Sequence, residues 1–246
     1  MSCDARGGGH LLAQNGVSAV YHYAPLHYFV FIVRRGELLS KIELRKLGFS
    51  DAHFRSTSKA QDEDRGFARF LHLTLDAHPP ILHAKLSKGF PHFEVALPVT
   101  ELNGIQYLLC RFNIAKTRYF RGAKQEPPES PGNGRYIEGL RLPVAATAAE
   151  KQSMLTLNSG RRMIEVLVPD RMPLSSQVVL RFFHDEDLDA ATNVLSKLNI
   201  SKYSVELDPD LRYEPRQTYR DVCRAALAKA LADDAWLGDG VEFDRI

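Results

Sequence analysis

Five apolar runs of strand length, "FLHLTL", "HFEVALPV", "IQYLLCRF", "MIEVLV" and "QVVLRFF", fall between residues 70 and 183 and point to a sheet. They are rich in β-branched and aromatic residues, the types that suit a pleated, half-buried surface. A sixth, "VSAVYHYA", precedes them. Helical patterns lie mainly toward the two ends. In "PLHYFVFIVRRG", residues Leu26, Phe29, Val30 and Val33 form an apolar stripe, with Pro25 at the start and Gly36 just past the end. "KIELRKLG" is a shorter helix, and "DEDLDAATNVLSKLN" carries acids in its first turn, where they suit the positive end of the helix dipole. "QTYRDVCRAALAKALADDAWL" is a longer helix near the C-terminus. The pattern is that of one mixed α+β domain over residues 17–246. The Gly-rich stretch "MSCDARGGGHLLAQNG", residues 1–16, is expected to be a flexible tail, and its "GGGH" lacks the preceding strand of a dinucleotide fingerprint.

In "GRRMIEVLVPDRMPL" the apolar run Met163 to Val168 is interrupted by one acid, Glu165. On a strand Ile164, Val166 and Val168 share one face, and Glu165 falls between Met163 and Leu167 on the other. Two readings are open. Either this is an edge strand with one wet face, which the pattern alone favours, or the carboxylate is set rigidly in a cleft for chemistry.

Three other places could carry chemistry. His22, flanked by tyrosines in "YHY", is either a hydrogen-bonded core histidine or a ligand contact that needs a partner elsewhere. In the polar connection "HFRSTSKAQDEDRG", Arg55 and Arg65 have the planar fork that binds phosphate, and with His72 and His78 this stretch could contact a diphosphate. The loop-rich segment from Arg111 to Arg141 holds seven Lys/Arg against three Glu, a local charge of +4, with Phe112, Tyr119, Phe120 and Tyr136 interleaved. Positive charge among aromatics suits single strands whose bases can stack.

Other classes are excluded by what the sequence lacks. There is no P-loop, HExxH, GxSxG or kinase signature, and the nine histidines are not spaced as a metal site, so a metal-free mechanism is expected. Three scattered cysteines and the lack of a signal-like or membrane-length apolar segment imply a soluble, cytoplasmic protein with no membrane partner. A net charge of +2 means that any basic site must be local.

The order of these pieces resembles the DarT family of DNA ADP-ribosyltransferase toxins. "YHY" followed by "FIVRRGELLS" is similar to that family's opening strand and helix. "DRGFARFLHLTLDAHPPIL" resembles its next block, and "IEVLVPDRMPL" its late strand bearing the catalytic glutamate. The likeness runs from about Val17 to Leu195, with one departure: the family's aromatic "YVPFYF" strand stands here as "ARFLHLTL". The resemblance implies an ADP-ribosyltransferase-like domain with a central mixed, mostly antiparallel split β-sheet flanked by helices. It implies NAD as co-substrate and transfer of ADP-ribose to guanine or thymine in single-stranded DNA, by the toxin of a toxin–antitoxin or anti-phage system. RNA modification and non-catalytic nucleic-acid binding are the alternatives. Glu165 becomes the catalytic acid and Arg55 the match to a catalytic or phosphate-positioning arginine, with Arg65 competing for that role. His22, Tyr23, Ser40, Arg65 and His72 become NAD contacts, and Lys116, Arg118, Tyr119, Arg121 and Lys124 nucleic-acid contacts. The implied partner is an antitoxin of the macrodomain ADP-ribosyl glycohydrolase type, and the expected state is a monomer.

Overall fold

The stripe Leu26, Phe29, Val30 and Val33 is buried in full. Pro25 leads into a 3-10 turn (Leu26–Tyr28) and then helix α2 (Phe29–Arg35), which ends where Gly36 turns left-handed at φ 65° and its N–H bonds the Ile32 carbonyl. Glycine takes that conformation at no steric cost. Phe29 meets Phe93 edge-on at 5.2 Å between ring centres and Phe182 at 5.6 Å. Burying aromatic side chains of this kind contributes roughly 1.5–3 kcal/mol each.

The structure, a computed structural model, describes residues 8–49, 63–112, 127–158, 164–208, 210–211 and 213–233. Nine strands are described: β1 (Ala19–Pro25), β2 (Glu37–Leu39), β3 (Phe70–Thr74), β4 (His92–Pro98), β5 (Leu108–Cys110), β6 (Glu165–Pro169), β7 (Arg171–Pro173), β8 (Val179–Phe182) and β9 (Ser204–Leu207). Seven of them form one sheet in the order β5-β6-β3-β1-β4-β8-β9, and β2 pairs with β7 separately. All pairings are antiparallel except β8–β9, which are joined by the crossover helix α6 (Asp185–Lys197). The sheet is split. β1 pairs with β4 along its whole length and β3 with β6 along its own, but β1 meets β3 only at Tyr21↔Thr74. Beyond that pair the two halves part.

One face of the sheet carries Leu71, Leu73, Phe93, Val95, Val166 and Val168, which join α2, α6 and the C-terminal helix α7 (Gln217–Ala232) in the main core. The second face is covered in two separate patches. Over β5-β6-β3 lie Phe67, Leu140, Leu142 and Val144, packed on Phe70, Cys110 and Leu167. Over the other half, helix α4 (Pro80–Leu86) packs Leu82 and Leu86 against Phe183 and Tyr23. Polar side chains occupy the seam between these patches.

Two readings of the sequence change, and one helix was not read from it. Gly8–Gln14, expected within a flexible tail, is helix α1: Leu12 is fully buried and Tyr107 donates to the Gly8 carbonyl at 2.8 Å. A Cβ on Gly9 would stand 2.0 Å from the Val99 carbonyl oxygen, so the glycines permit close packing here. Second, β6 is an interior strand between β5 and β3, so the wet-edge reading of Glu165 fails. The unread helix is α5 (Ala148–Leu157), which follows the loop-rich segment and is held by a capping box between Thr147 and Glu150. Helix α3 (Lys41–Lys46) matches the pattern read for it. Among the described residues no helix is long and apolar enough to cross a membrane.

Candidate active site at the seam of the sheet

Glu165 opens β6, with Thr74 of β3 and Cys110 of β5 as its cross-strand neighbours. Strand alternation sends Val166 and Val168 into the core and turns Glu165 to the second face, where its side chain is 13% exposed. Its Oε2 lies 3.2 Å from Nδ1 of His72, the diagonal neighbour on β3. The other ring nitrogen of His72, Nε2, lies 3.3 Å from the Phe67 carbonyl oxygen. A carboxylate held this way is rigid and in partial contact with solvent.

By the same alternation His22 belongs to the opposite face, across from Val95. It reaches the Glu165 neighbourhood because β1 and β3 have parted there, and its Nδ1 stands 3.2 Å from the His72 carbonyl oxygen. Burial pushes the His22 imidazole down to about 4, so the ring is neutral at pH 7. A carbonyl can only accept, so Nδ1 carries the proton and Nε2 presents a lone pair to a ligand donor.

Tyr23 donates its hydroxyl to the carbonyls of Asp76 and Ala77, just after β3. Burial, then the nearby Glu94 carboxylate, holds that phenol far above its usual range. Tyr23 therefore clasps the two halves of the sheet beside the split. Ser40 is buried, with Oγ accepting from the Glu43 N–H to cap α3, and its own N–H donates to the Asp170 carbonyl at 2.7 Å. Asp170 is five residues beyond Glu165, about 16 Å of strand, so the structure does not bring Ser40 to the carboxylate.

Arg65 does join the neighbourhood. The Cys110 thiol, directly across from Glu165, is raised by burial and by the Glu165 charge and lowered by that of Arg65. The Arg65 backbone is fixed by the Arg141 N–H on its carbonyl and by Gly66 at φ 80°, where a Cβ would meet the Gly139 carbonyl oxygen at 1.9 Å. His78 takes a different partner, with Nε2 2.9 Å from Asp208 Oδ2. Arg55, Lys116, Arg118, Tyr119, Arg121 and Lys124 lie outside the described residues. Two basic residues of the Arg111–Arg141 segment are engaged internally: Arg111 donates to Asn133 at 2.6 Å and Arg135 to Glu150 at 2.8 Å.

Lys85 was not singled out in the sequence. It lies on α4 beside the buried Leu82 and Leu86, itself half-buried. Burial and the charge of Lys41 lower its amine to about 8, and its own charge acts on His22 and His92. No carboxylate pairs with Lys85 among the described residues, so this corner favours an anion. The signal was legible in "PPILHAKL": paired prolines open a helix, Leu82 and Leu86 mark its inner face, and Lys85 sits at that face's margin. Among the described residues no three His, Cys, Asp or Glu side chains gather as they would around a metal ion.

No protein-family model matches the sequence, and no curated protein matches it. Solved structures do. The fold is similar to that of Thermus sp. 2.9 DarT in complex with ADP-ribosylated ssDNA, at TM-score 0.56 and 10% identity over 80% of this chain and 97% of that one. Thermus sp. 2.9 DarT in complex with NAD+ matches at TM-score 0.51 and 12% identity, over 80% and 98%. Thermosipho africanus DarTG in complex with ADP-ribose matches at TM-score 0.53 and 14% identity, over 78% of this chain and 50% of that one. The chain has the α+β fold of DarT ADP-ribosyltransferase structures.

Proposed function

We propose that this chain is an NAD-dependent ADP-ribosyltransferase that modifies a base of single-stranded DNA. The observation that carries the reading is Glu165, a lone carboxylate fixed on an interior strand at the mouth of a split sheet, in a fold that DarT structures share. Those DarT structures are complexes with ADP-ribosylated ssDNA, NAD+ and, for DarTG, ADP-ribose.

The residues fit NAD along the gap. His22 Nε2 accepts from a ribose hydroxyl, and Lys85, with Lys41, Arg65 and Arg55, supplies positive charge for the diphosphate. Cleavage between ribose and nicotinamide develops positive charge at the anomeric carbon, and Glu165 stabilises it electrostatically. The attacking base nitrogen forms the new bond to that carbon as nicotinamide leaves, and its proton passes to Glu165 and then to solvent. Tyr23 and Ser40, implied as NAD contacts by the resemblance, act here through the clasp and the cap of α3. Lys116, Arg118, Tyr119, Arg121 and Lys124 hold the single strand. The biological setting that follows is a cytoplasmic toxin restrained by a macrodomain-type antitoxin.

The test is mass spectrometry of DNA and RNA digests after incubation with NAD, for wild type and Glu165→Gln. Loss of a preorganised charge of this kind lowers the rate on the order of a hundredfold or more. An ADP-ribosyl adduct on a DNA base from wild type but not from the variant supports the reading. Adducts on RNA alone redirect it to RNA, and equal adducts from both proteins refute the role of Glu165.

A further inference from the structure

His72 stands between two groups that only accept hydrogen bonds, Oε2 of Glu165 at 3.2 Å and the Phe67 carbonyl oxygen at 3.3 Å. A neutral imidazole has one N–H, so one of these contacts would set a nitrogen lone pair against an oxygen. With both nitrogens protonated, both contacts are donations, and the one to the carboxylate is charge-assisted. The ring cannot turn aside easily. Its backbone is locked in β3 against Leu167, its carbonyl faces His22 Nδ1, and Phe67 is fully buried.

We infer that His72 is held as an imidazolium that pins Oε2 of Glu165 and leaves Oε1 to meet the substrate. This rests on the proposed transferase reading and makes His72 a positioning residue rather than the NAD contact implied by the resemblance. The groups facing it are consistent with a single added proton. Among the described residues Glu165 on β6 is the carboxylate that contacts it. Cys110 on β5 keeps its thiol proton, His22 on β1 is neutral, Tyr21 beside Thr74 keeps its phenol proton, and among the described residues Arg65 and, beyond His22, Lys85 bring positive charge to the neighbourhood. During transfer Oε1 receives the proton from the attacking nitrogen, and His72 retains both of its own. Activity should therefore fall as pH rises and the imidazolium is lost, whereas deprotonation of the attacking base alone would raise it.

The experiment compares wild type, His72→Gln and His72→Phe in single-turnover transfer across a pH series, with NAD affinity measured by calorimetry. The 15N signals of the wild-type ring are recorded without substrate. A misplaced catalytic group can cost up to about a hundredfold, so His72→Phe should lose at least about tenfold in rate at pH 7 with NAD affinity within about twofold. His72→Gln, which still donates to Glu165, should recover part of the loss. The alkaline fall in rate should be absent from both variants, and both ring nitrogens of wild type should carry protons at pH 7. A bare ring nitrogen at pH 7, or an affinity loss with the rate intact, would overturn the inference. The 15N result stands even if no transfer is found, so a failed function and a wrong protonation state are told apart.

Discussion

Replacing Glu94 by Gln should change how stability depends on pH, by an amount the structure allows to be worked out. Glu94 is fully buried on β4, one strand from the split; its Oε1 accepts from Arg181 at 2.6 Å, and the Tyr23 hydroxyl is another polar neighbour among the described residues. Burial raises this carboxyl from 4.5 to about 7, against the opposing pull of Arg181. A raised folded-state value means that the folded protein holds the proton more tightly than the unfolded chain does. The resulting stability is complete below pH 4.5 and is lost as pH rises through 7. At about 1.4 kcal/mol per unit, the part lost between pH 5 and pH 8 is about 2.5 kcal/mol. Gln cannot ionise and lacks this term, and its different packing and hydrogen bonds shift the baseline by a constant. Urea unfolding of both proteins at several pH values gives the difference, in which groups common to both cancel. Wild type should lose about 2.5 kcal/mol relative to the variant from pH 5 to pH 8. A difference constant to within about 0.5 kcal/mol would refute the buried, proton-binding description of Glu94.

Two further outcomes bear on the ligand. Lys85→Ala should raise the KM for NAD by at least about tenfold with kcat little changed, as expected for a charge-assisted contact of roughly 1.5–3 kcal/mol. Amine labelling should show Lys85 titrating near pH 8 and protected by pyrophosphate, and unchanged labelling would remove it from the diphosphate site. Changing Lys116, Arg118 and Arg121 together to Glu should weaken binding of a single-stranded oligonucleotide and flatten its salt dependence, while NAD hydrolysis to water persists. Equal labelling of duplex and single strand by wild type, or an unchanged salt slope in the variant, would rule that segment out as the clamp.

Much of the fold was legible wherever apolar residues recur at a fixed spacing. The stripe of α2 and the runs that became β3, β4, β6 and β8 were read from side chains that go into one core. The elements that escaped carry little of that signal. Strands β2 and β7 are three residues each and mainly satisfy one another's backbone, and β9 alternates only between exposed and half-buried positions. Helix α1 was hidden by its glycines, which signal mobility in isolation and become packing when Val99 is close. Helix α5 offered a readable start in Thr147 and Glu150, but the residues following it have no strong apolar stripe.

The candidate site shows why a sequence can display a residue without deciding its use. Glu165 was conspicuous as the lone acid in an apolar run, but whether its strand lies at an edge or inside the sheet depends on partners roughly 55 and 90 residues away, β5 and β3. Register then fixes the chemistry. With Thr74 opposite Glu165, the carboxylate shares a face with His72, and Val166 and Val168 enter the core with Leu71 and Leu73. A slip of one residue would bury the charge and expose both valines, losing roughly 1.5–3 kcal/mol for each of them besides the cost of the buried carboxylate. The apolar residues on either side of Glu165 therefore hold it at the seam, and the run that made it look out of place is what positions it beside His72.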